Sequence, residues 1–423
     1  GLGDVYKRQV FNKEKGVIKM EQGRFIVIVL DSYGIGYMDD VLEVRPRDFG
    51  ANTCKHIIEK VPYLKLENLE KLGLMNALGE NYGEMKMNPE AVFGKAKLMH
   101  HGGDTFLGHQ EIMGTYPVKP LIAPFSHYID KVYDELIKEG YKVEKIGDNI
   151  QYLWVNDCVA VADNLETDLG QVYNVTTTFQ KISFEEELKI GEIVRKVVEV
   201  ERVIVFGGTE ATIESIKAAK EEKEGKYVGI NAPKSKVYEK GYMVRHLGYG
   251  INPETQVPTI LGKNNIPVVL VGKVADIVFN DKGKSFLNLV DTSRIFDITL
   301  EEMDKLEKGF IAVNIQETDL AGHAENPERY AQILKLSDRY IGKIMEKMNG
   351  NDILVVTADH GNDPTIGHSQ HTRENVPILI YRKGLKAVNI GHRETMSDIG
   401  ATVADYFKVE MPENGKSFLG ELE

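Results

Sequence analysis

The stretch TADHGNDPTIGHSQHTRENVP, residues 357–377, sets Asp359 beside His360 directly after a hydrophobic run at 353–356. His371 follows eleven residues after His360, with His368 between them. Glycine at 361 lets the backbone turn, so that neighbouring side chains reach one ion; an ordinary polar loop would account for the pair equally well. In QETDLAGHAE, Asp319 and His323 lie four apart, a spacing one helical turn brings together, and Gly322 permits a close backbone approach. In LDSYGIGYMDD, Asp31 ends a strand-like run ahead of Gly34 and Gly36. Taken singly, these segments also read as a surface salt bridge and a glycine turn. Together they supply three aspartates and three histidines, enough for two divalent ions of three protein ligands each, with positions left for substrate. Carboxylate and imidazole without thiolate suit zinc or manganese better than calcium or copper. Two such ions, about 3.5–4 Å apart, clamp the attacking and leaving oxygens of an in-line phosphoryl transfer. HHGGDTFLGHQEIMGT offers the nucleophile: Thr105, flanked by Gly102, Gly103 and Gly108, is a hydroxyl on a loop that the backbone can bring close. A turn-forming threonine remains the alternative there.

Positioning these residues requires a scaffold. Apolar, β-branched runs recur at 25–30, 203–206, 267–271, 310–315, 353–356 and 376–381, nearly continuous as in strands buried on both faces. Helical patterns separate several of them. The clearest, NPERYAQILKLSDRYIGKIMEKM, has Asn326 as N-cap, Pro327 at the first helical position, and Tyr330, Ile333, Leu334, Ile341, Ile344, Met345 and Met348 on one face. Ser397 reads as a second N-cap, before MSDIGATVADYF. The alternation predicts an α/β fold with a doubly wound, mostly parallel sheet. Asp31, the Asp319/His323 pair and the Asp359/His360 pair each follow a strand, and ligands of open α/β sheets bind beyond the carboxyl ends of strands. The core is expected at 20–118 and 257–423, with residues 119–256 forming a smaller inserted α/β cap. Residues 1–19 read as a non-core extension before Met20, without the apolar centre of a signal peptide.

The whole 423-residue chain narrows the function classes. A net charge of −12 without a long basic cluster disfavours nucleic acid as partner, and no apolar run approaches membrane-spanning length. Two cysteines, Cys54 and Cys158, have neither disulfide-framework nor metal-ligand spacing, which fits a reducing cytoplasm.

DSYGIG, GGDTFLGHQEIMGT, VGKVADIV, TADHGNDPTIGHSQHTRENVPILIY and DIGATVADYF occur in the order of their counterparts in phosphopentomutases, metal-dependent members of the alkaline phosphatase superfamily. The chain resembles that family over about 23–118 and 257–423. The resemblance implies an alkaline-phosphatase-like core and a phosphosugar mutase that interconverts ribose (or deoxyribose) 1-phosphate and 5-phosphate, in nucleoside salvage, through a phosphothreonine at Thr105. It further implies one ion held by Asp31, Asp359, His360 and Thr105, a second held by Asp319, His323 and His371, manganese as the usual metal, and a sugar bisphosphate as activator. Lys273 matches a lysine near the substrate; Arg245, at the end of the insertion, is a cation for the distal phosphate; His109 joins them as a substrate candidate, while packing or ligand orientation remains open for it and for His368.

Three departures bear on the sugar. The family usually separates its aspartate and histidine by four residues where this chain has three between Asp319 and His323, as in alkaline phosphatases and cofactor-independent phosphoglycerate mutases. QVYNVTTTFQ replaces a YTSADS-like stretch, and RVIVFGG replaces RVIARPF, losing an arginine that helps grip substrate. The metal chemistry is unaffected, and a metal-dependent phosphohydrolase, or a mutase of another phosphosugar, stands as the alternative. A non-catalytic protein with a structural metal cluster is a third reading, opposed by the hydroxyl at Thr105.

Overall fold

The computed structural model describes residues 22–167 and 169–422; the expected extension at 1–19 lies outside them. In chain order the strands are β1 (Arg24–Leu30), β2 (Val92–Ala96), β3 (Val143–Ile146), β4 (Tyr152–Val155), β5 (Val159–Asp163), β6 (Val172–Thr178), β7 (Arg202–Gly208), β8 (Lys220–Lys223), β9 (Tyr227–Ile230), β10 (Met243–Gly248), β11 (Val268–Val271), β12 (Lys284–Phe286), β13 (Gly309–Ile315), β14 (Ile353–Thr357), β15 (Val376–Tyr381) and β16 (Val388–Arg393). The helices that matter here are α1 (Thr53–Lys60), α2 (Thr105–Ile112), α3 (Phe184–Val197), α4 (Lys273–Ile277), α5 (Glu317–His323), α6 (Pro327–Lys347) and α7 (Ser397–Phe407).

Two larger sheets organise the molecule. The first has eight strands in the order β12-β11-β13-β1-β14-β15-β2-β16, parallel except where β15 pairs with β14 and β2. Its central strands β1, β13 and β14 are buried along their whole length, so both faces need cover, and helices supply it. Each fully buried Val, Ile or Leu contributes about 1.5–3 kcal/mol, which is why uninterrupted β-branched runs take these places. The doubly wound α/β core expected from the sequence is the one the chain forms. The second sheet, β10-β7-β6-β5-β4-β3, is largely antiparallel with one parallel pair, β6 and β7. Its two faces carry separate apolar clusters, one around Leu153, Val175, Ile190 and Val205, the other around Trp154, Ile204, Phe206 and Ile216. The buried cluster of the large sheet draws only on residues up to Met113 and from Val257 onward.

Helix α6 starts as its sequence requires: the Asn326 side chain accepts from the Arg329 amide at 2.9 Å, and Pro327 occupies the first turn. Its buried residues include Tyr330, Leu334, Ile341, Ile344 and Met345, while Ile333 is only partly covered. Ser397 departs from expectation. It is the first residue of α7, Met396 takes the cap position, and the Ser397 hydroxyl donates instead to the Glu111 carbonyl at 2.8 Å. The Glu111 carbonyl, at the end of α2, accepts from the Gly114 amide at 2.9 Å and takes that hydroxyl as a further donor.

Candidate functional site

The three central strands finish level with one another. In parallel register Leu30 faces Ile315 and Val29 faces Thr357, so the residues that follow emerge at one edge. Asp31 comes directly after β1, Asp319 and His323 lie on α5 after β13, and Asp359 and His360 lie in the turn after β14. His371 reaches the same edge from the loop between β14 and β15. Thr105 enters on the first turn of α2, whose cap is the Asp104 carboxylate accepting from the Leu107 amide at 2.8 Å. The Thr105 hydroxyl therefore stands at the positive end of a helix. Only glycine suits position 108: a Cβ there would lie 2.8 Å from the Asp359 carbonyl oxygen, so its absence lets α2 rest on the β14 turn.

Thr105 Oγ1 and His360 Nε2 share a hydrogen bond of 2.6 Å. His360 Nε2 also lies 3.5 Å from Asp31 Oδ1 and 3.3 Å from Asp359 Oδ2. Beside this group, Asp319 Oδ2 is 3.3 Å from His323 Nε2, Asp319 Oδ1 is 3.3 Å from His371 Nε2, and the two imidazole nitrogens are 3.1 Å apart. All six expected ligands and the threonine thus converge. Two sets of three have ligand atoms within 4.8 Å of one another: Asp31, Asp359 and His360, and Asp319, His360 and His371. His360 belongs to both.

A metal fits this donor set on three grounds. Each histidine donates its Nδ1–H to a backbone carbonyl, His360 to Gly361 at 2.9 Å, His371 to Gly103 at 2.8 Å and His323 to Ser369 at 2.6 Å, which turns every Nε2 toward the cluster. Donor separations of 3.1–3.5 Å match the edge of a tetrahedron with bonds of about 2.0–2.1 Å, about 3.3–3.4 Å. Asp31 Oδ1 and Asp359 Oδ2 are buried oxygens that accept no hydrogen bond. A buried carboxylate oxygen in that position is costly unless a cation stands against it.

The electrostatics agree. Burial and the facing Asp359 push the Asp31 carboxyl up to about 7. Burial opposes charge on His360 too, but Asp359, Asp31 and Asp319 raise its imidazole to about 10. Burial and the neighbouring His360 hold His371 below the usual imidazole range, while a hydrogen bond to Asp319 raises His323. Three carboxylates in one dry place demand positive charge. Lys273, first residue of α4, supplies part of it: its Nζ is 3.2 Å from Asp31 Oδ2, 3.7 Å from Asp319 Oδ2 and 3.2 Å from Thr105 Oγ1. It ties the carboxylates to the hydroxyl.

The other candidates lie differently. His109 is fully buried behind the cluster, its Nδ1 2.9 Å from the Thr105 carbonyl and 3.3 Å from Asp359 Oδ2, its Nε2 accepting from Asn314 at 3.0 Å. That is an orienting place, without exposure to a substrate. Arg245 stands on β10 with its guanidinium 5.9 Å from the Phe279 ring centre, lining a cleft of about 590 Å³ between the two sheets' units. His368 pairs with Asp48 at 3.2 Å, off the cluster.

Several residues go unnoticed in the sequence. Asn314, inside the apolar run of β13, donates to Asp31 Oδ2 at 3.1 Å; a lone amide in a buried strand was the signal. Arg202, at the start of β7, lies 3.7 Å from Asp104 and over the Phe106 ring at 5.2 Å, a cation from the smaller unit beside the start of α2. Glu374 is buried and accepts from the Thr53 hydroxyl at 2.6 Å, the Thr372 hydroxyl at 2.7 Å, the Thr53 amide at 2.9 Å and the Gly36 amide at 3.0 Å. It fastens the loop after β1, the start of α1 and the His371 loop together.

Comparison with known proteins gives the family of the chain. The family model of the metalloenzyme superfamily matches residues 23–411. A phosphopentomutase of Clostridioides difficile (strain 630) is 32% identical over 412 residues, covering 94% of this chain and 99% of its own length. One from Clostridium botulinum (strain Alaska E43 / Type E3) is 31% identical over 431 residues, covering 94% and 98%. Among solved structures, a phosphoglycerate mutase of Leishmania mexicana aligns over 94% of this chain and 98% of its own at 12% identity, with a TM-score of 0.46.

Proposed function

This chain belongs to the metalloenzyme superfamily and, within it, to the phosphopentomutases, and from that premise we propose that it interconverts ribose (or deoxyribose) 1-phosphate and 5-phosphate through a phosphothreonine at Thr105. The observation that carries this reading is the hydroxyl of Thr105 lying within hydrogen-bond reach of both His360 and Lys273, at the rim of two overlapping sets of metal-type ligands. A structural metal cluster has no need of such a hydroxyl.

Asp31, Asp359 and His360 with Thr105 would hold one divalent ion, and Asp319, His323 and His371 the other, with Mn2+ foremost and Zn2+ second. Bound there, the ions would neutralise phosphoryl oxygens and lower the pKa of the Thr105 hydroxyl. The chain's own groups do the rest. In one half-reaction a free sugar hydroxyl attacks the phosphorus of phosphothreonine; the new sugar O–P bond forms, the Thr105 Oγ–P bond breaks, the proton lost by the sugar hydroxyl is matched by the one the freed Thr105 oxygen gains, and a sugar bisphosphate results. In the other, Thr105 Oγ attacks the second phosphate of the turned bisphosphate, and that ester oxygen leaves with the monophosphate product. Lys273 Nζ, 3.2 Å from Oγ1, stabilises negative charge on the oxygen whenever its bond to phosphorus is broken, and the α2 N-terminus adds to it. Asn314 and His109 keep Asp31 and Asp359 in place. A trace of sugar bisphosphate serves as activator by loading Thr105. Residues 119–256 form the cap that holds the bisphosphate and excludes water while it turns. We place the enzyme in the cytoplasm, in nucleoside salvage; among the described residues no helix is long and apolar enough to cross a membrane.

The test is a phosphosugar panel assayed with Mn2+ and trace bisphosphate, following isomerised product and inorganic phosphate together. Ribose 5-phosphate from ribose 1-phosphate supports the mutase. Inorganic phosphate without ribose 5-phosphate means that water intercepts the phosphoenzyme, and the protein is a phosphohydrolase.

A further inference from the structure

The segment between β2 and α2 delivers Thr105, yet residues 97–104 belong to no helix or strand. Its shape must come from side chains that satisfy its backbone groups, because a partly buried irregular segment otherwise carries unpaired donors and acceptors. On the amide side that partner is Glu111, which accepts from Met99 and His100, each at 3.0 Å. On the carbonyl side it is Arg373. Its Nη1 donates to the His100 carbonyl at 2.7 Å and the Gly102 carbonyl at 2.8 Å, and its Nη2 donates to the Leu98 carbonyl at 3.1 Å. Nε and Nη2 also bond the two oxygens of Asp40, both at 2.8 Å, which fixes the plane of the guanidinium. The side chain is only 4% exposed.

The alternation 98, 100, 102 is what a planar fork of donors fits and a single ammonium does not. Gly102 takes a φ of +91°, a turn that points its carbonyl at Arg373 at no steric cost. The next carbonyl, Gly103, is taken by His371 Nδ1 at 2.8 Å. Two residues of one tripeptide, His371 and Arg373, therefore hold four carbonyls of the segment that ends in Thr105.

We propose that Arg373 is a positioning residue for phosphoryl transfer: its grip on the Leu98, His100 and Gly102 carbonyls sets where Thr105 Oγ1 stands relative to the His360 and Asp359 cluster. This rests on reading Thr105 as the nucleophile. Arg373 itself touches neither the cluster nor the reacting oxygen. A displacement of about 1 Å in a nucleophile costs about 100-fold in rate, and a loosened segment shifts Thr105 without disturbing the carboxylates.

Four proteins test it: wild type, Arg373→Lys, Arg373→Ala and Asp40→Asn. Each is measured for Mn2+ affinity by calorimetry, for phosphate on Thr105 by mass spectrometry after exposure to sugar bisphosphate, and for kcat and KM. Arg373→Lys is expected to keep Mn2+ affinity and KM within about threefold and to lose about 100-fold in kcat. In Arg373→Ala, added ethylguanidinium restores part of kcat and butylammonium does not. Asp40→Asn, which keeps one acceptor for the guanidinium but loosens its plane, falls between wild type and Arg373→Lys in kcat. Arg373→Lys turning over like wild type overturns the proposal. So does a parallel collapse of Mn2+ affinity, because it spreads the effect of Arg373 over the whole cluster, His371 included, instead of confining it to the placing of Thr105. Wild type that takes no phosphate on Thr105 overturns the nucleophile reading instead, so the two failures are separable.

Discussion

Lys273→Met separates two roles that one ammonium now combines. Lys273 Nζ lies 3.2 Å from Asp31 Oδ2 and 3.7 Å from Asp319 Oδ2. At an effective dielectric constant of about 20, such pairs correspond to gross attractions of about 5 and about 4 kcal/mol, before desolvation offsets much of each. A divalent ion competes for those same carboxylates, so removing the lysine should leave Mn2+ affinity unchanged or tighter. The hydrogen bond to Thr105 Oγ1 at 3.2 Å works in the opposite direction. A charge-assisted bond to an oxygen that gains negative charge is worth about 1.5–3 kcal/mol, so kcat should fall roughly 10- to 150-fold at saturating Mn2+. Methionine fills much of the lysine stem's volume and keeps the packing. The assay is steady-state turnover of ribose 1-phosphate at several Mn2+ concentrations, with calorimetric Mn2+ titration of the same protein. Weaker metal binding with an unchanged kcat at saturation would refute the reasoning, since it would make Lys273 a support of the cluster and no partner of the hydroxyl.

Three further outcomes are expected. Thr105→Ala retains Mn2+ but transfers no phosphate, read as full calorimetric titration with no product and no phosphate adduct; unchanged turnover would remove Thr105 from the mechanism. His323→Ala, which deletes one corner of the Asp319, His323 and His371 triangle, lowers bound manganese from about two ions to about one per chain after gel filtration, since catalytic sites rest on about three protein ligands; two retained ions would redraw the ligand sets. Glu187, buried on α3, has its carboxyl pushed up to about 9 by burial, against which the Phe206 backbone amide pulls only in part. The folded chain then binds that proton more tightly than the unfolded chain, so stability from it is fully present below the ordinary carboxylate pKa and drains away as pH rises through about 9. Urea midpoints should fall from about pH 6 to about pH 8.5 in wild type and fall less in Glu187→Gln; equal slopes would place no such carboxyl there.

The sequence made the metal-type edge legible because each member sits next to a strong local signal. Asp31, Asp319 and Asp359 each follow a largely apolar strand buried along its whole length, and the parallel sheet aligns the ends of those strands. Less regular contributions were harder to see. β2 alternates buried and half-buried residues around a glycine, and β12 is three residues long, so neither stands out as a strand. Glu187 lies among FEEELKIGE, where its neighbours are solvated and nothing marks it as the buried one. Arg373 and Glu374 were visible as letters of a motif but not as machinery: their partners are backbone groups at Leu98, His100, Gly102, Gly36 and Thr53, and side-chain patterns carry no record of a distant carbonyl. Arg202 was hidden for a related reason, because only the packing of the smaller unit on α2 brings it beside Asp104.

The two ligand sets differ in how far water reaches them. Asp31, Asp359 and His360 are sealed, whereas the side chains of His371 and His323 are 21% and 41% exposed. On the proposed assignments, an ion held by the sealed set would have to pass the half-exposed histidines at the rim. Loading would then be sequential, a chelator would strip the rim first, and scarce metal would leave the rim set short while the sealed set beside Thr105 is filled.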